Sequence, residues 1–290
     1  MIIDIHTHTY PDEIATYAME KLAHQTNIHP YTDGTFSGLL KSQEKSGVDL
    51  SIILPVVTRA RQTEKINNVA AKINSTTSQT HIMSFAGIHP DNDDYKQLIR
   101  GIADNGFIGI KLHPMFQQVP LDDIRYIRLI DEAMDKGLKV LIHAGADINF
   151  VDCDYAIPER TRKMLSALPA TNGIILAHMG GILFWDKVID LLGGYEIYLD
   201  TSSTICDFLS YEGKKIIGQF RNPLNHSIFN DIVHAFGADH ILFGSDSPWQ
   251  DQQDAINDIK STGLDEKTIQ MILGENTAKL LNINITPTIA

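Results

Sequence analysis

Cysteine is scarce: only Cys153 and Cys206 occur in 290 residues, and with no Cys-x-x-Cys spacing neither a disulfide framework nor a thiolate zinc site is indicated. Both are read as bystanders. No apolar run approaches the roughly 20 residues of a membrane helix. The N-terminus enters a strand at once, which predicts no signal peptide and a cytoplasmic location. Basic residues are also few, with 24 Lys and Arg against 36 Asp and Glu, giving a net charge of −12 and a pI of about 5.4. That balance repels phosphate backbones and anionic lipid, so neither nucleic acid nor a membrane is an expected partner. Linkers, low-complexity tracts and charge runs are missing as well, so residues 1–290 are expected to form one domain.

What is present is apolar material in regular order. At 43% hydrophobic residues the chain can bury a large core. Short runs rich in Ile, Val and Leu alternate with longer segments of helical spacing. After a first strand within Met1–His8, strand candidates fall at Ser51–Val57, His81–His89, Phe107–His113, Lys139–Ala144, Gly173–His178, Glu196–Thr201 and His240–Asp246. A helix over Ile124, Ile127, Ile130 and Met134 follows Asp122 and Asp123 as N-cap candidates and stops at Gly137. Another holds Val188, Leu191 and Leu192 before Gly193-Gly194, and a helical tail covers Ile269 to Leu281. Eight strands with helices between them predict an α/β fold of the (β/α)8 TIM-barrel type, in which each strand is covered on both faces. An open doubly wound sheet is the alternative; against it, no Gly-x-Gly-x-x-Gly follows the first strand.

The polar residues at the strand ends carry the chemistry. Met1-Ile2-Ile3-Asp4-Ile5-His6-Thr7-His8 reads as a strand ending in His-x-His, and positions i and i+2 share a face, so His6 and His8 project together with Asp4 behind them. Alone, such a pair is commonly two exposed histidines. Other strands end in the same way, however: Lys111 and His113 on the fourth, His143 on the fifth, His178 on the sixth and Asp246 on the eighth. In a (β/α)8 barrel all these ends meet on one face.

The segments Asp4-Ile5-His6-Thr7-His8, Gly109-Ile110-Lys111-Leu112-His113-Pro114, Leu141-Ile142-His143-Ala144-Gly145, Leu176-Ala177-His178-Met179-Gly180-Gly181, Tyr198-Leu199-Asp200-Thr201-Ser202 and Ile241 to Trp249 resemble the amidohydrolase superfamily. More narrowly they are similar to its amidohydrolase-2 branch, which includes the aminocarboxymuconate-semialdehyde decarboxylase type. Gly274 to Leu281 is similar to that family's closing helix. The resemblance implies His6, His8, His143 and Asp246 as metal ligands and His178 as the residue that activates a metal-bound water. Three imidazoles and a carboxylate suit zinc, with manganese as the alternative ion. As both a ligand and a neighbour of that water, Asp246 is also placed to carry a proton to the leaving group. Lys111 is expected to bind a substrate carboxylate or oxyanion at a one-metal site; a second metal is expected only if Lys111 is carboxylated.

Loops after the strands should shape the pocket: Arg59 and Arg61 lie in one, Asp147 and Asp154 in another, Arg221 in a third, and Trp249 follows Asp246 as a candidate wall. The leading expectation is a metal-dependent hydrolase attacking an amide, ester or lactone of a small, carboxylate-bearing substrate. The chain is short for the arm and extra loops associated with the decarboxylases, which favours hydrolysis. The alternatives are a metal-dependent non-oxidative decarboxylase of an unsaturated or aromatic acid and, last, a catalytically inactive binding protein. A homodimer is left open.

Overall fold

Nine strands are found among the residues that the computed structural model describes, which are 1–150, 152–206 and 224–284. They are β1 (Ile3–Thr7), β2 (Leu50–Ile53), β3 (Ile82–Ser84), β4 (Ala86–Gly87), β5 (Gly109–Leu112), β6 (Lys139–Ile142), β7 (Ile174–Leu176), β8 (Tyr198–Asp200) and β9 (Ile241–Leu242). The chain divides into two units, one of residues 1–53, 80–82 and 201 onward, the other of 54–79 and 83–200. Arg221 lies outside the described residues. No helix among the described residues is long and apolar enough to cross a membrane.

In the first unit β1 has all five residues buried, as a strand covered on both faces requires. It pairs in parallel with β2, Ile3 opposite Leu50 and Asp4 opposite Ser51. Its other edge runs along the residues that follow β9. The Ile5 N–H donates to the Phe243 carbonyl at 3.0 Å, Asp246 N–H to His6 at 2.8 Å and His8 N–H to Ser247 at 2.6 Å. The expected C-terminal helix is present as Glu266–Gln270 and Asn276–Leu281, joined by a π-helical turn over Met271–Glu275. That turn presents the Ile272 carbonyl to the Phe243 N–H at 2.9 Å, and Asn276 donates to the carbonyls of Ala238 and Ile241. The closing helix therefore fixes the strand that leads to Asp246.

In the second unit β4, β5, β6, β7 and β8 pair in parallel and in chain order. The single strand expected over His81–His89 is two, interrupted at Phe85. The helix Thr63–Asn74 explains the break. Its Asn74 amide brackets Ser84, accepting from the backbone N–H at 2.7 Å and donating to the carbonyl at 3.0 Å, while Asn67, two turns earlier, brackets Gly87 at 2.8 and 2.9 Å. Side-chain amides have taken the backbone groups that a ladder would use.

The helix Ile124–Asp135 begins at Asp123 as expected, but its buried face is Tyr126, Leu129, Ile130 and Ala133, and Ile124 is exposed. Asp123 caps it by accepting from the Arg125 N–H at 2.9 Å, and the Arg125 guanidinium holds this carboxyl down at about 2. Asp123→Ala should therefore lower unfolding stability by about 1 kcal/mol in urea melts, with the slope of the melt unchanged.

Candidate metal centre

Because β1 and the Phe243–Ser247 segment exchange backbone hydrogen bonds, His6, His8 and Asp246 are brought side by side within the first unit. His6 Nε2 and His8 Nε2 lie 3.2 Å apart, and Asp246 Oδ1 is 3.5 Å from the first and 3.2 Å from the second. Bonds of about 2.0–2.2 Å to a divalent cation set neighbouring ligand atoms roughly 2.8–3.6 Å apart, in octahedral or tetrahedral geometry. The three donors have that spacing, so the set fits a divalent ion; it does not favour zinc over manganese.

The backbone at this point is unusual. Asp246 sits at φ +66°, a left-handed conformation that a non-glycine residue adopts only when its surroundings impose it. Asp4 is one such constraint. It is fully buried and accepts four hydrogen bonds: from the backbone N–H of His6 at 3.1 Å and of Ser245 at 3.0 Å, from Ser245 Oγ at 2.5 Å and from Gln252 Nε2 at 2.8 Å. Burial raises its carboxyl to about 6 against the lowering effect of those donors. Asp4 therefore ties β1 to the Asp246 turn and leaves coordination to its neighbours. Tyr10, which the sequence reading passed over, has its phenol pushed up to about 12, by burial first and by the Asp246 charge second.

The second unit holds the other strand-end histidines, His113, His143 and His178. His113, His143 and Asp147 are all buried and bring their ligand atoms within 4.8 Å of one another. His113 and His143 stack at 4.2 Å, and His113 Nε2 is 3.5 Å from Asp147 Oδ2. His143 Nε2 lies 2.9 Å from the Ala146 carbonyl, so that nitrogen carries the proton, and Nδ1 accepts from His178 Nε2 at 3.0 Å. Each ring nitrogen of His143 thus has a protein partner, and ligation by His143 requires one of these to be released. Phe116 and Phe150 extend the aromatic cluster, Phe116 packing edge-on against both His113 and Phe150. His178 is held in a left-handed conformation, φ +58°, by Asp200 Oδ1 on its N–H at 3.1 Å and Trp185 Nε1 on its carbonyl at 2.9 Å. Lys111 is fully buried on β5.

Of the pocket candidates, Arg59 and Arg61 are exposed beside the short helix Ala60–Gln62. Trp249 is half-buried and lines a cavity of about 210 Å³ with Tyr31, Cys206 and Gln250. Asp147 was expected only as part of a pocket loop, and Ser202 and Ser203 carry no expected role. The signal for the serines was the Thr201-Ser202-Ser203-Thr204 run directly after a strand.

Residues 3–283, nearly the entire chain, match the family described as Amidohydrolase. The chain belongs to the amidohydrolase family. Among solved structures this amidohydrolase is similar to 5-carboxyvanillate decarboxylase from Sphingomonas paucimobilis, at 15% identity and TM-score 0.69 over 98% of this chain and 99% of that one. It is also similar to a dihydroxybenzoic acid decarboxylase from Polaromonas with bound manganese, at 15% identity and TM-score 0.65 over 98% of each chain. A protein from Pseudomonas putida assigned as a 2-pyrone-4,6-dicarboxylic acid hydrolase is similar at 16% identity and TM-score 0.65, again over 98% of each chain. No curated protein matches by sequence. These likenesses give the amidohydrolase its fold, the (β/α)8 barrel expected from the alternation of strands and helices. They also remove the argument from chain length, since the match takes in 99% of a decarboxylase chain.

Proposed function

We propose that this amidohydrolase is a metal-dependent carboxy-lyase that removes carbon dioxide from a small aromatic or unsaturated carboxylic acid without an oxidant. The observation that carries the metal is the spacing of the His6, His8 and Asp246 donors, 3.2 to 3.5 Å. Decarboxylation in place of hydrolysis is supported by the two full-length decarboxylase likenesses and by the ring cluster of His113, Phe116, His143 and Phe150, whose chemistry suits a planar substrate.

His6, His8 and Asp246 hold the ion, with His143 as the fourth ligand that the family resemblance implies. When bound, the ion supplies a fixed positive charge against the negative charge that develops on the substrate. Lys111 binds a carboxylate or phenolate oxygen. His178 delivers a proton to the carbon that bears the carboxylate; as that C–C bond breaks, the electron pair returns to the ring and carbon dioxide leaves. His178 is suited to holding that proton, because its backbone is fixed on both sides and its Nε2 already faces a hydrogen-bond partner. Zinc or manganese serves the site, and one ion per chain is expected with Lys111 uncarboxylated.

The second reading is hydrolysis of a lactone or related bond, and the hydrolase-assigned neighbour favours it. The test is incubation of metal-loaded protein with hydroxybenzoic acids and, separately, with a pyrone dicarboxylic acid lactone, following released carbon dioxide and added water by mass. The expected outcome is metal-dependent carbon dioxide release, reduced at least 10²-fold by His178→Asn. Water uptake without carbon dioxide would replace this reading with the hydrolase. No turnover of either class by metal-loaded protein would revive a binding role.

A further inference from the structure

Ser202 and Ser203 stand directly against the proposed metal ligands, within the same unit. Ser202 Oγ is 2.9 Å from His6 Nδ1, and Ser203 Oγ donates to Asp246 Oδ2 at 2.7 Å. Both serines are buried, at 0% and 4% exposure, so water does not compete for these contacts. Ser203 is also at φ +53°, facing Asp246 at +66°. Two non-glycine residues in left-handed backbone, joined by one short hydrogen bond, mark a place where the fold holds an unfavourable conformation to aim side chains.

The neighbouring threonines brace the segment. Thr201 N–H donates to the Leu242 carbonyl at 3.0 Å, its hydroxyl accepts from the Gly244 N–H at 3.1 Å, and Thr204 Oγ1 donates to the Thr201 carbonyl at 2.6 Å. The hydroxyls of Thr201 to Thr204 thus each have a defined partner, and the two central ones reach the candidate ligands.

We infer that Ser202 and Ser203 are positioning residues of the metal centre, Ser202 fixing the His6 tautomer and Ser203 fixing which Asp246 oxygen faces the ion. The inference rests on the metal reading of His6, His8 and Asp246. With Nε2 given to a cation, His6 carries its proton on Nδ1, and Ser202 Oγ accepts it there. The Ser203 hydroxyl engages Oδ2 and so leaves Oδ1 as the oxygen turned toward both imidazoles, which is the arrangement seen. Outer partners of this kind typically contribute 10- to 100-fold to metal affinity.

Glycine at position 203 separates this role from a structural one. It accepts positive φ without strain, so Ser203→Gly removes the hydroxyl while easing the backbone, whereas Ser203→Ala removes the hydroxyl and keeps the strain. Zinc and manganese affinities would be measured by competition with a chromophoric chelator for the wild type, Ser203→Gly, Ser203→Ala and Ser202→Ala, with the melting temperature of each metal-free protein beside them.

The expected result is affinity weakened roughly 10- to 100-fold in all three variants, with metal-free Ser203→Gly melting no lower than the wild type. Affinity within twofold of wild type in Ser203→Gly would overturn the inference and leave the metal site standing. A lower melting temperature in metal-free Ser203→Gly would also overturn it, because the hydroxyl would then be needed by the fold itself. Wild-type protein that binds neither ion would overturn both this inference and the metal-dependent function.

Discussion

Protein carrying Asp246→Asn should emerge from purification with close to no bound metal, where the wild type carries close to one divalent ion per chain by inductively coupled plasma mass spectrometry. Asparagine suits the test because it tolerates left-handed backbone and can still accept the Ser203 hydroxyl through its amide oxygen, so the turn at φ +66° survives. What is lost is the charge and the donor strength of the atom 3.2 Å from His8 Nε2 and 3.5 Å from His6 Nε2. The loss should exceed the roughly 10- to 100-fold that removal of an outer partner produces. Full occupancy in Asp246→Asn would mean that the ion sits elsewhere. Close to two ions in the wild type would point to a carboxylated Lys111 and a second metal.

Asp4→Ala is expected to have the largest effect on stability of any single change in the first unit. It would leave four buried donors, the N–H groups of His6 and Ser245, the Ser245 hydroxyl and the Gln252 amide, without their acceptor. At 1–3 kcal/mol for each orphaned donor, with partial relaxation, the cost is about 3–5 kcal/mol, measurable in urea melts of the metal-free protein.

The same carboxyl makes stability depend on pH. Its folded value of about 6 lies above the ordinary value of 3.8, so between those values the folded state holds a proton that the unfolded chain has released. The contribution is full below pH 4 and is lost as the pH rises through 6, by about 3 kcal/mol in all for the metal-free protein. Asp4→Asn should flatten that slope. A wild-type profile that rose steadily from pH 4 to pH 6 would contradict the assignment.

Much of this molecule could be read from its residues because the signals were local. A parallel strand covered on both faces shows as a short run rich in apolar residues, and Ile3–Thr7, Gly109–Leu112 and Lys139–Ile142 lie inside their expected segments. The Asp123 cap and the Gly137 stop bound their helix as expected, since capping is decided within a few residues. The face of that helix was misjudged, with Ile124 left in solvent, because a hydrophobic period gives a stripe whose centre only the packing partners choose. The break at Phe85 was invisible for a similar reason: it depends on Asn67 and Asn74, more than ten residues upstream.

The sequence by itself determined the strand-and-helix order and the His-x-His pair, since alternation along a strand requires His6 and His8 to share a face. It also supplied the chemical inventory of imidazoles and carboxylate from which a metal reading follows. Only the tertiary structure decided that Asp246 meets that pair at ligand spacing, that Asp4 is a tie and not a ligand, and that Ser202 and Ser203 stand behind His6 and Asp246. Apart from Ser203 and Asp246, which are 43 positions apart, those relations join residues about 200 to 240 positions apart. No local propensity encodes such distances; they arise when β1 exchanges backbone hydrogen bonds with the segment after β9, and burial then favours arrangements in which the polar groups of the seam pair with one another.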